Sequence, residues 1–449
     1  MTLGARHAHD PTVVRAPDGR WVMFCTDARG GHRAGAPVPA GAHVRVSDDL
    51  VRWRDAGTAL DGVPAEAAAH SGARGLWAPE VVRWPRSGVF HMYYSASTFG
   101  SSTSAIGLAV AADPLGPWEH RGLVLTTRSG QQSQNAIDAA VTVDEHGDPW
   151  LTYGSFFAGI FTVRLDRESG LLAQDGDLGT CVARRPSSVE GAVEGAFLLR
   201  GRAGRTASGA PDSTGARWTM LVSFGSLFST YDVRASTSTQ VDGPYRDRSG
   251  RSMTDLGPDP DGVGTRLLVG HQLTGGPAWV APGHCSVLSL EPRAEGPSGD
   301  LLVHHVRLGA DPTEHVGQLR RLVRTRSGWP AVSPQPYAAT PAEVAWEATD
   351  APDLGSGPDP GLAGTWDVLS LRDVPEPTPA GPVTRSRLAH APDGDLRALG
   401  AHDVVVHPGY DWVRGRPTWL FAGFDAGGVA ISGTLVAGRP GRWSSGAAD

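Results

Sequence analysis

The same short arrangement, a polar residue followed at once by an apolar strand, recurs along this chain of 449 residues. The fullest example is SSVEGAVEGAFLLR, Ser187 to Arg200, in which Glu194 precedes the run Ala196-Phe197-Leu198-Leu199. Alternation followed by an apolar run predicts a strand. A carboxylate at the mouth of a buried strand is unfavourable unless it is paired or used. This stretch therefore predicts a strand that carries an acidic side chain with a functional role.

Further segments repeat the arrangement. Asp10 leads into TVV, Asp138 into AVTV and His284 into SVLSL. Aromatic strands follow each of them, separated by turns such as Asp18-Gly19. With WAPEVV they make five copies, and radial repetition of small sheets is typical of a β-propeller, whose inner strands line a central channel. We predict an all-β fold with a five-bladed β-propeller over residues 1–335, a pair of β-sandwiches being the alternative.

The repeat stops near Gln335. Short strands separated by turns continue to the end of the sequence, among them GTWDVLSL, HDVVVHP and TWLFAGF. Their alternation predicts a second, small all-β domain with a barrel-like sheet over residues 340–449. No acid–base constellation stands out within it.

Composition excludes several classes of function. The net charge of -7 argues against nucleic acid as the main partner. All 40 basic residues are arginine, which excludes a Schiff-base lysine, pyridoxal phosphate chemistry and a P-loop. Three separated cysteines indicate neither a disulfide framework nor a zinc site. No apolar run is long enough to cross a membrane, and no signal-peptide core follows Met1, so the sequence as written predicts an unexported protein, or a secreted one whose leader was trimmed.

The acidic candidates each have a plainer interpretation. Asp10 could activate water or merely begin an Asp-Pro turn, and Asp138 could raise a neighbour's pKa or merely cap a loop. Glu194 has a competitor in Glu190, four residues earlier, but Glu194 adjoins the apolar run. Glu80 is assigned the position in blade two that is equivalent to the acidic residues of the other blades. The alternative is that the adjacent proline only shapes the start of that strand. Repetition favours the functional interpretation of the first three.

Three further side chains complete the predicted site. His284 follows a Pro-Gly turn and adds an imidazole to a ring of carboxylates, where a cation would relieve repulsion. A hard ion such as Ca²⁺ would bind there mostly through water and carbonyl oxygens, with one imidazole. Trp77 and Phe99 are planar apolar rings suited to the CH face of a sugar, with core packing as the alternative for each.

The motifs HDPTVV, LWAPEVV, YYSASTFGSSTSAIGLA, NAIDAAV, VEGAF and PGHCSV, in this order, resemble glycoside hydrolase family 43 over about residues 7–330. Within the family the endo-1,5-α-L-arabinanases are the most similar. The resemblance implies a five-bladed propeller, with Asp10 as general base, Glu194 as general acid and Asp138 as the carboxylate that tunes and orients the acid. It also implies that His284 is associated with a central calcium ion.

The family pattern further implies that Asn135 and Ile137, which flank the tuning residue, contact the substrate. The implied activity is inverting hydrolysis of α-1,5-L-arabinofuranosyl bonds in arabinan, as an arabinan endo-1,5-α-L-arabinosidase. An exo-acting α-L-arabinofuranosidase or β-xylosidase of the same family is one alternative, and a non-catalytic glycan-binding propeller is another. The C-terminal segment resembles the lipocalin-like domain of some extracellular arabinanases. Two departures are Cys285, commonly asparagine, and Ala139, often proline.

Overall fold

The computed structural model describes residues 4–28, 40–201, 218–290, 298–347 and 357–438. Strands dominate these ranges, and the α-helices within them are α1 (Ala65–Ser71) and α2 (Pro341–Ala345). Neither helix has the length and apolar character needed to span a bilayer.

The first four blades are four-stranded antiparallel sheets in which the strands lie side by side in chain order. The predicted all-β five-bladed propeller is confirmed, with these sheets as blades one to four. Their strands are β1 (Thr12–Arg15), β2 (Trp21–Cys25), β3 (His43–Ser47), β4 (Arg54–Thr58), β5 (Trp77–Arg83), β6 (Phe90–Ala96), β7 (Ser104–Ala111), β8 (Glu119–Thr127), β9 (Ala140–Val143), β10 (Pro149–Tyr153), β11 (Ile160–Arg164), β12 (Thr180–Ala183), β13 (Val193–Arg200), β14 (Trp218–Phe224), β15 (Asp232–Ser238) and β16 (Thr265–Leu268).

Burial follows the position of a strand within its blade. Every residue of β2, β6 and β14 is buried, because the second strand of a blade packs against neighbouring blades on both faces. Such a strand needs apolar residues on both sides, which explains continuous runs such as WVMFC. The outer strand β4, RDAGT, is mostly exposed and polar instead. Phe24 of blade one and Met92 of blade two share one apolar cluster, which ties the two blades together.

Blade five closes the ring. The N-terminal segment runs beside its strand β20 (Asp311–Arg324). There, His7 N–H donates to the carbonyl of His315 at 2.8 Å, and Gly317 N–H donates to the carbonyl of Ala5 at 2.9 Å. This pairing holds the start of the chain against the last blade, so the ring is closed by backbone hydrogen bonds as well as by apolar packing. The strands of this blade are β17 (His271–Gln272), β18 (Ala278–Leu290), β19 (Gly299–Leu308), β20 (Asp311–Arg324) and β21 (Pro330–Val332).

The C-terminal part is an extra β domain that shares its core with the propeller. Its main sheet is antiparallel, in the order β25-β22-β28-β27-β26, and β24 and β23 extend the sheet of blade five. Phe424 and Trp346 belong to the same apolar cluster as Leu302 of blade five. The boundary between residues 1–335 and 340–449 therefore stays a prediction. The strands are β22 (Gly364–Ser370), β23 (Glu376–Thr378), β24 (Gly381–Arg385), β25 (Arg387–Ala391), β26 (Ala401–Asp411), β27 (Arg416–Asp425) and β28 (Ala430–Gly438).

Candidate active site

Each inner strand has a residue with a left-handed backbone either just before the strand or within it. The φ angle is 49° at Asp10, 41° at Ala78, 59° at Asp138, 59° at Gly195 and 45° at His284. A residue other than glycine adopts this conformation at a cost on the order of 1–3 kcal/mol, so the surrounding structure must hold it there. In blades two, four and five the strand register also shifts at this bend. Such a bulge re-aims side chains, here at the end of the central channel.

Two acidic residues do not occupy the left-handed position of their own strand. In blade two the bent residue is Ala78, and Glu80 lies two residues further along the strand, buried and outside the described lining of the cleft. The assignment of Glu80 to the equivalent position is therefore wrong. Glu194 precedes the bent residue of its blade, Gly195, by one. A bulge changes the count of residues along a strand, and pattern counting in a sequence cannot detect it.

The bends surround a cleft of about 870 Å³ to which all five blades contribute. Apart from Glu80, every site residue predicted from the sequence lines it. These residues are Asp10, Trp77, Phe99, Asn135, Ile137, Asp138, Glu194 and His284. The polar residues of the repeat, far apart in the chain, thus come together at one mouth of the channel.

Asp10 is held by several imidazoles. His9 Nδ1 lies 2.7 Å from Asp10 Oδ2, and the hydroxyl of Thr26 donates to the same oxygen at 2.5 Å. The other oxygen, Oδ1, lies 3.3 Å from His284 Nδ1 and 3.5 Å from His305 Nδ1. Burial alone would raise the pKa of Asp10, but the imidazoles of His284 and His9 hold that pKa well below its ordinary value. The group is therefore ionised at neutral pH, as a general base must be.

Asp138 connects the other site residues. Its Oδ2 accepts the backbone N–H of Gly195 at 3.2 Å and lies 3.9 Å from His284 Nδ1, the nitrogen that also faces Asp10. Its own N–H donates to Ser95 Oγ at 2.9 Å, which fixes the bend. Burial and the charge of Glu194 raise the pKa of Asp138 well above its ordinary value. Asp138 thus positions the strand end that carries Glu194.

Glu194 is buried, and the hydroxyl of Ser155 donates to its Oε2 at 2.7 Å. Burial raises the pKa of Glu194, although hydrogen bonds from Ser155 and Tyr231 partly oppose the rise. A carboxyl with a raised pKa can hold the proton that a general acid needs. Glu190, the competing acid in the sequence, ends a short 3-10 turn and is exposed.

The predicted substrate-binding residues differ in exposure. Phe99 is 78% exposed and Trp77 half-buried, so both rings can meet a ligand. Asn135 is buried; its Oδ1 accepts from Ser104 Oγ at 2.7 Å and its amide donates to the carbonyl of Ser155 at 3.4 Å. Asn135 therefore also braces the residue that holds Glu194.

Sequence reasoning missed several residues of the cleft. Thr26, Ser155 and Tyr231 contact the acids, yet each lies on a different strand or loop from the acid that it holds. His9, next to Asp10, could have been found, because it stands in the HDP motif itself. Phe228 is 53% exposed and lines the cleft, and no repeat marks it in the sequence.

The predicted departure at Cys285 has a structural explanation. Its thiol is buried in the apolar cluster that contains Leu302, and burial raises its pKa to about 12.

Among the described residues, the side chains grouped closely enough to share a metal ion are His9, Asp10 and His305, whose ligand atoms lie within 4.8 Å of one another. Burial lowers the pKa of His284, although the nearby carboxylate of Asp10 opposes the fall.

Glu80 gives a prediction about stability. Burial raises its pKa from 4.5 to about 8. Between these values the folded protein keeps the proton and the unfolded chain loses it, so the free energy of unfolding falls as pH rises. Glu80→Gln removes that loss, and we expect it to stabilise the protein on the order of 4 kcal/mol at pH 8 but little at pH 4.5. Melting temperatures across this range measure the effect.

The matched control is Glu190→Gln, the same substitution at an exposed position. It should leave the pH dependence of melting unchanged. An equal gain for Glu80→Gln at both ends of the pH range would contradict the raised pKa.

Comparison with known proteins places this site in a family context. The sequence profile described as "Glycosyl hydrolases family 43" matches residues 3–272. An extracellular exo-α-(1→5)-L-arabinofuranosidase of Cellvibrio japonicus is 30% identical over 349 residues, covering 74% of this chain and 88% of the relative. An extracellular endo-α-(1→5)-L-arabinanase of Bacillus subtilis is 32% identical over 260 residues, covering 57% of this chain and 68% of the relative.

The fold likeness extends over nearly the whole chain. The crystal structure of an endo-1,5-α-L-arabinanase from Thermotoga petrophila matches with a TM-score of 0.74 and covers 97% of this chain and 100% of that one. Sequence identity in this match is 20%, so the likeness supports the fold alone, with the extra C-terminal β domain included.

Proposed function

The chain belongs to glycosyl hydrolases family 43, and we propose that it cleaves α-1,5-linked L-arabinofuranosyl bonds within arabinan, with inversion at the anomeric carbon. The observation that carries the proposal is the opposite direction of two pKa shifts in one cleft. The pKa of Asp10 is held down and that of Glu194 is raised. A pair of carboxyls whose environments drive their pKa values apart is the pattern of a general base with a general acid.

The mechanism follows from these protonation states. Glu194 donates its proton to the glycosidic oxygen as the bond from that oxygen to the anomeric carbon breaks. Asp10 takes a proton from a water molecule whose oxygen bonds to the same carbon from the opposite face. An inverting pair stands about 6.5–9.5 Å apart to leave room for this water. Asp138 acts through the backbone N–H of Gly195, by holding the acid in place.

The choice between endo and exo action rests on the relatives, which include both kinds. We infer endo action, because the relatives include several endo-arabinanases, from Thermotoga petrophila and Bacillus subtilis. Exo action is the second candidate, and the relative in Cellvibrio japonicus favours it.

The test is incubation with linear, debranched arabinan, followed by sizing of the products. Endo action gives a ladder of oligosaccharides from the first minutes, and exo action gives short products alone. Proton NMR of the early products should show the β-anomer, because inversion of an α-linkage produces it. Early α-anomer, or no hydrolysis at all, would overturn the proposal.

We also propose that the enzyme acts outside the cell. Both sequence relatives are named extracellular. Arabinan is a polymer, and an enzyme that hydrolyses it must be in the same compartment as the polymer. Recovery of activity from the culture medium of the natural host, and its absence from washed cells, tests this.

We further propose that a calcium ion binds near His284. Its imidazole lies in the cleft beside the carboxylates and would offer one nitrogen ligand, and water would supply most of the oxygen ligands that Ca²⁺ prefers. The ion would add positive charge beside Asp10 and Asp138. We expect chelation with EGTA to lower the melting temperature by several degrees, about 2–4 °C for each 1 kcal/mol of lost binding energy. Readdition of Ca²⁺ should restore it, and an unchanged melting temperature would contradict the proposal.

A further inference from the structure

Two exposed phenylalanine rings meet above the catalytic cleft. Phe99 is 78% exposed and Phe228 is 53% exposed, yet their ring centroids lie 6.1 Å apart at an interplanar angle of 61°. This is the edge-to-face arrangement that aromatic pairs prefer. Both rings line the cleft that contains the three acids.

The contact crosses the mouth of the cleft. Phe99 follows β6 of blade two, and Phe228 lies between β14 and β15 of blade four. Blade three stands between these blades around the ring, so a contact between their loops spans the opening and does not follow its rim. Residues of blade three, such as Phe157, and of blades one and five, such as Asp27 and Arg307, line the same cleft.

Both ends of this contact are held in place. Arg307 Nε donates to the carbonyl of Leu227 at 2.8 Å, and its guanidinium lies 5.0 Å from the centre of the Phe228 ring. On the other side, Ser101 N–H closes a turn around Phe99 by donating to the carbonyl of Thr98 at 3.0 Å. Hydrogen bonds therefore hold each of the two loops in the conformation that places its ring in the contact.

The contact is nevertheless weak enough to open. An isolated aromatic pair changes an equilibrium constant by roughly two- to tenfold beyond its burial. A polysaccharide that binds along the cleft can separate the rings at that cost, whereas a short oligosaccharide can occupy one side without separating them.

We propose that Phe99 and Phe228 form an aromatic bridge across the cleft that determines the preference between long and short arabinan chains. This inference rests on the proposed function, since it assumes an arabinan substrate. The bridge lowers the rate on polymer relative to the rate on short α-1,5-arabino-oligosaccharides, because the polymer must open it.

The test compares kcat/KM for linear arabinan with kcat/KM for arabinotriose. In Phe228→Ala we expect the polymer-to-triose ratio to rise about three- to tenfold, since the pair no longer has to part. Phe228→Trp, which enlarges the bridge, should lower the ratio. Any disturbance passed to Tyr231 and Glu194 affects both substrates alike and cancels in the ratio.

The matched control is Leu256→Ala, at an exposed apolar residue that is not among the described residues lining the cleft. It should leave the ratio unchanged. A ratio that stays constant or falls in Phe228→Ala overturns the bridge alone, provided that the wild type hydrolyses both substrates. A wild type that hydrolyses neither overturns the proposed function, and with it the inference.

Discussion

Glu194→Gln is expected to lower kcat/KM for arabinan by about 10²- to 10⁴-fold, the usual contribution of a general acid. The same variant is expected to lose less than about tenfold on a 2,4-dinitrophenyl α-1,5-arabino-oligosaccharide. The reason is the leaving group, because dinitrophenolate departs without a proton and a sugar alkoxide does not. Glutamine keeps the shape of the side chain and can still accept from Ser155, so folding should be preserved.

The doubled sequence VEGAVEGA provides the control. Glu190→Gln makes the same change four residues earlier, at an exposed acid of the same cleft. It should retain activity on both substrates. Equal losses on both substrates in Glu194→Gln would show that Glu194 is not the proton donor.

Asp10→Asn is expected to lower kcat/KM by about 10²- to 10⁴-fold on both substrates, because every substrate needs an activated water molecule.

The pH profile of wild-type activity on arabinan should be bell-shaped. Activity falls at low pH as Asp10 gains a proton, and since its pKa is held well below 3.8, that limb should lie at unusually low pH. Activity falls at high pH as Glu194 loses its proton, and this limb should lie above 4.5 because the pKa of Glu194 is raised.

Two measurements separate Asp10→Asn from a folding defect. Its far-ultraviolet circular dichroism should match the wild type, and arabino-oligosaccharide should still bind in a titration. If the variant folds and binds but keeps more than about one tenth of the wild-type rate, Asp10 is not the base. A loss confined to arabinan, with the aryl substrate spared, would instead assign Asp10 the role of the acid.

The electrostatics of the site depend on neighbours that no motif marks. Asp10 and Glu194 are both buried, and burial by itself would raise the pKa of each. Their pKa values move in opposite directions because the imidazoles of His284 and His9 lie against Asp10 and outweigh its burial, whereas the hydrogen bonds from Ser155 and Tyr231 to Glu194 do not outweigh the burial of that group. The type of residue predicts a titratable group, and its packed surroundings decide the direction of the shift.

Some features of this protein follow from the order of its residues alone. Strand propensity, turn residues and alternation are local, so the five blades and their acids Asp10, Asp138 and Glu194 could be recognised along the chain. Other features arise only when distant segments meet. The bulge that displaces Glu80, the hydroxyl of Ser155 against Glu194 and the contact of Phe99 with Phe228 all join residues from different strands or blades. Their geometry depends on how the blades close into a ring, and no local pattern in the sequence contains that information.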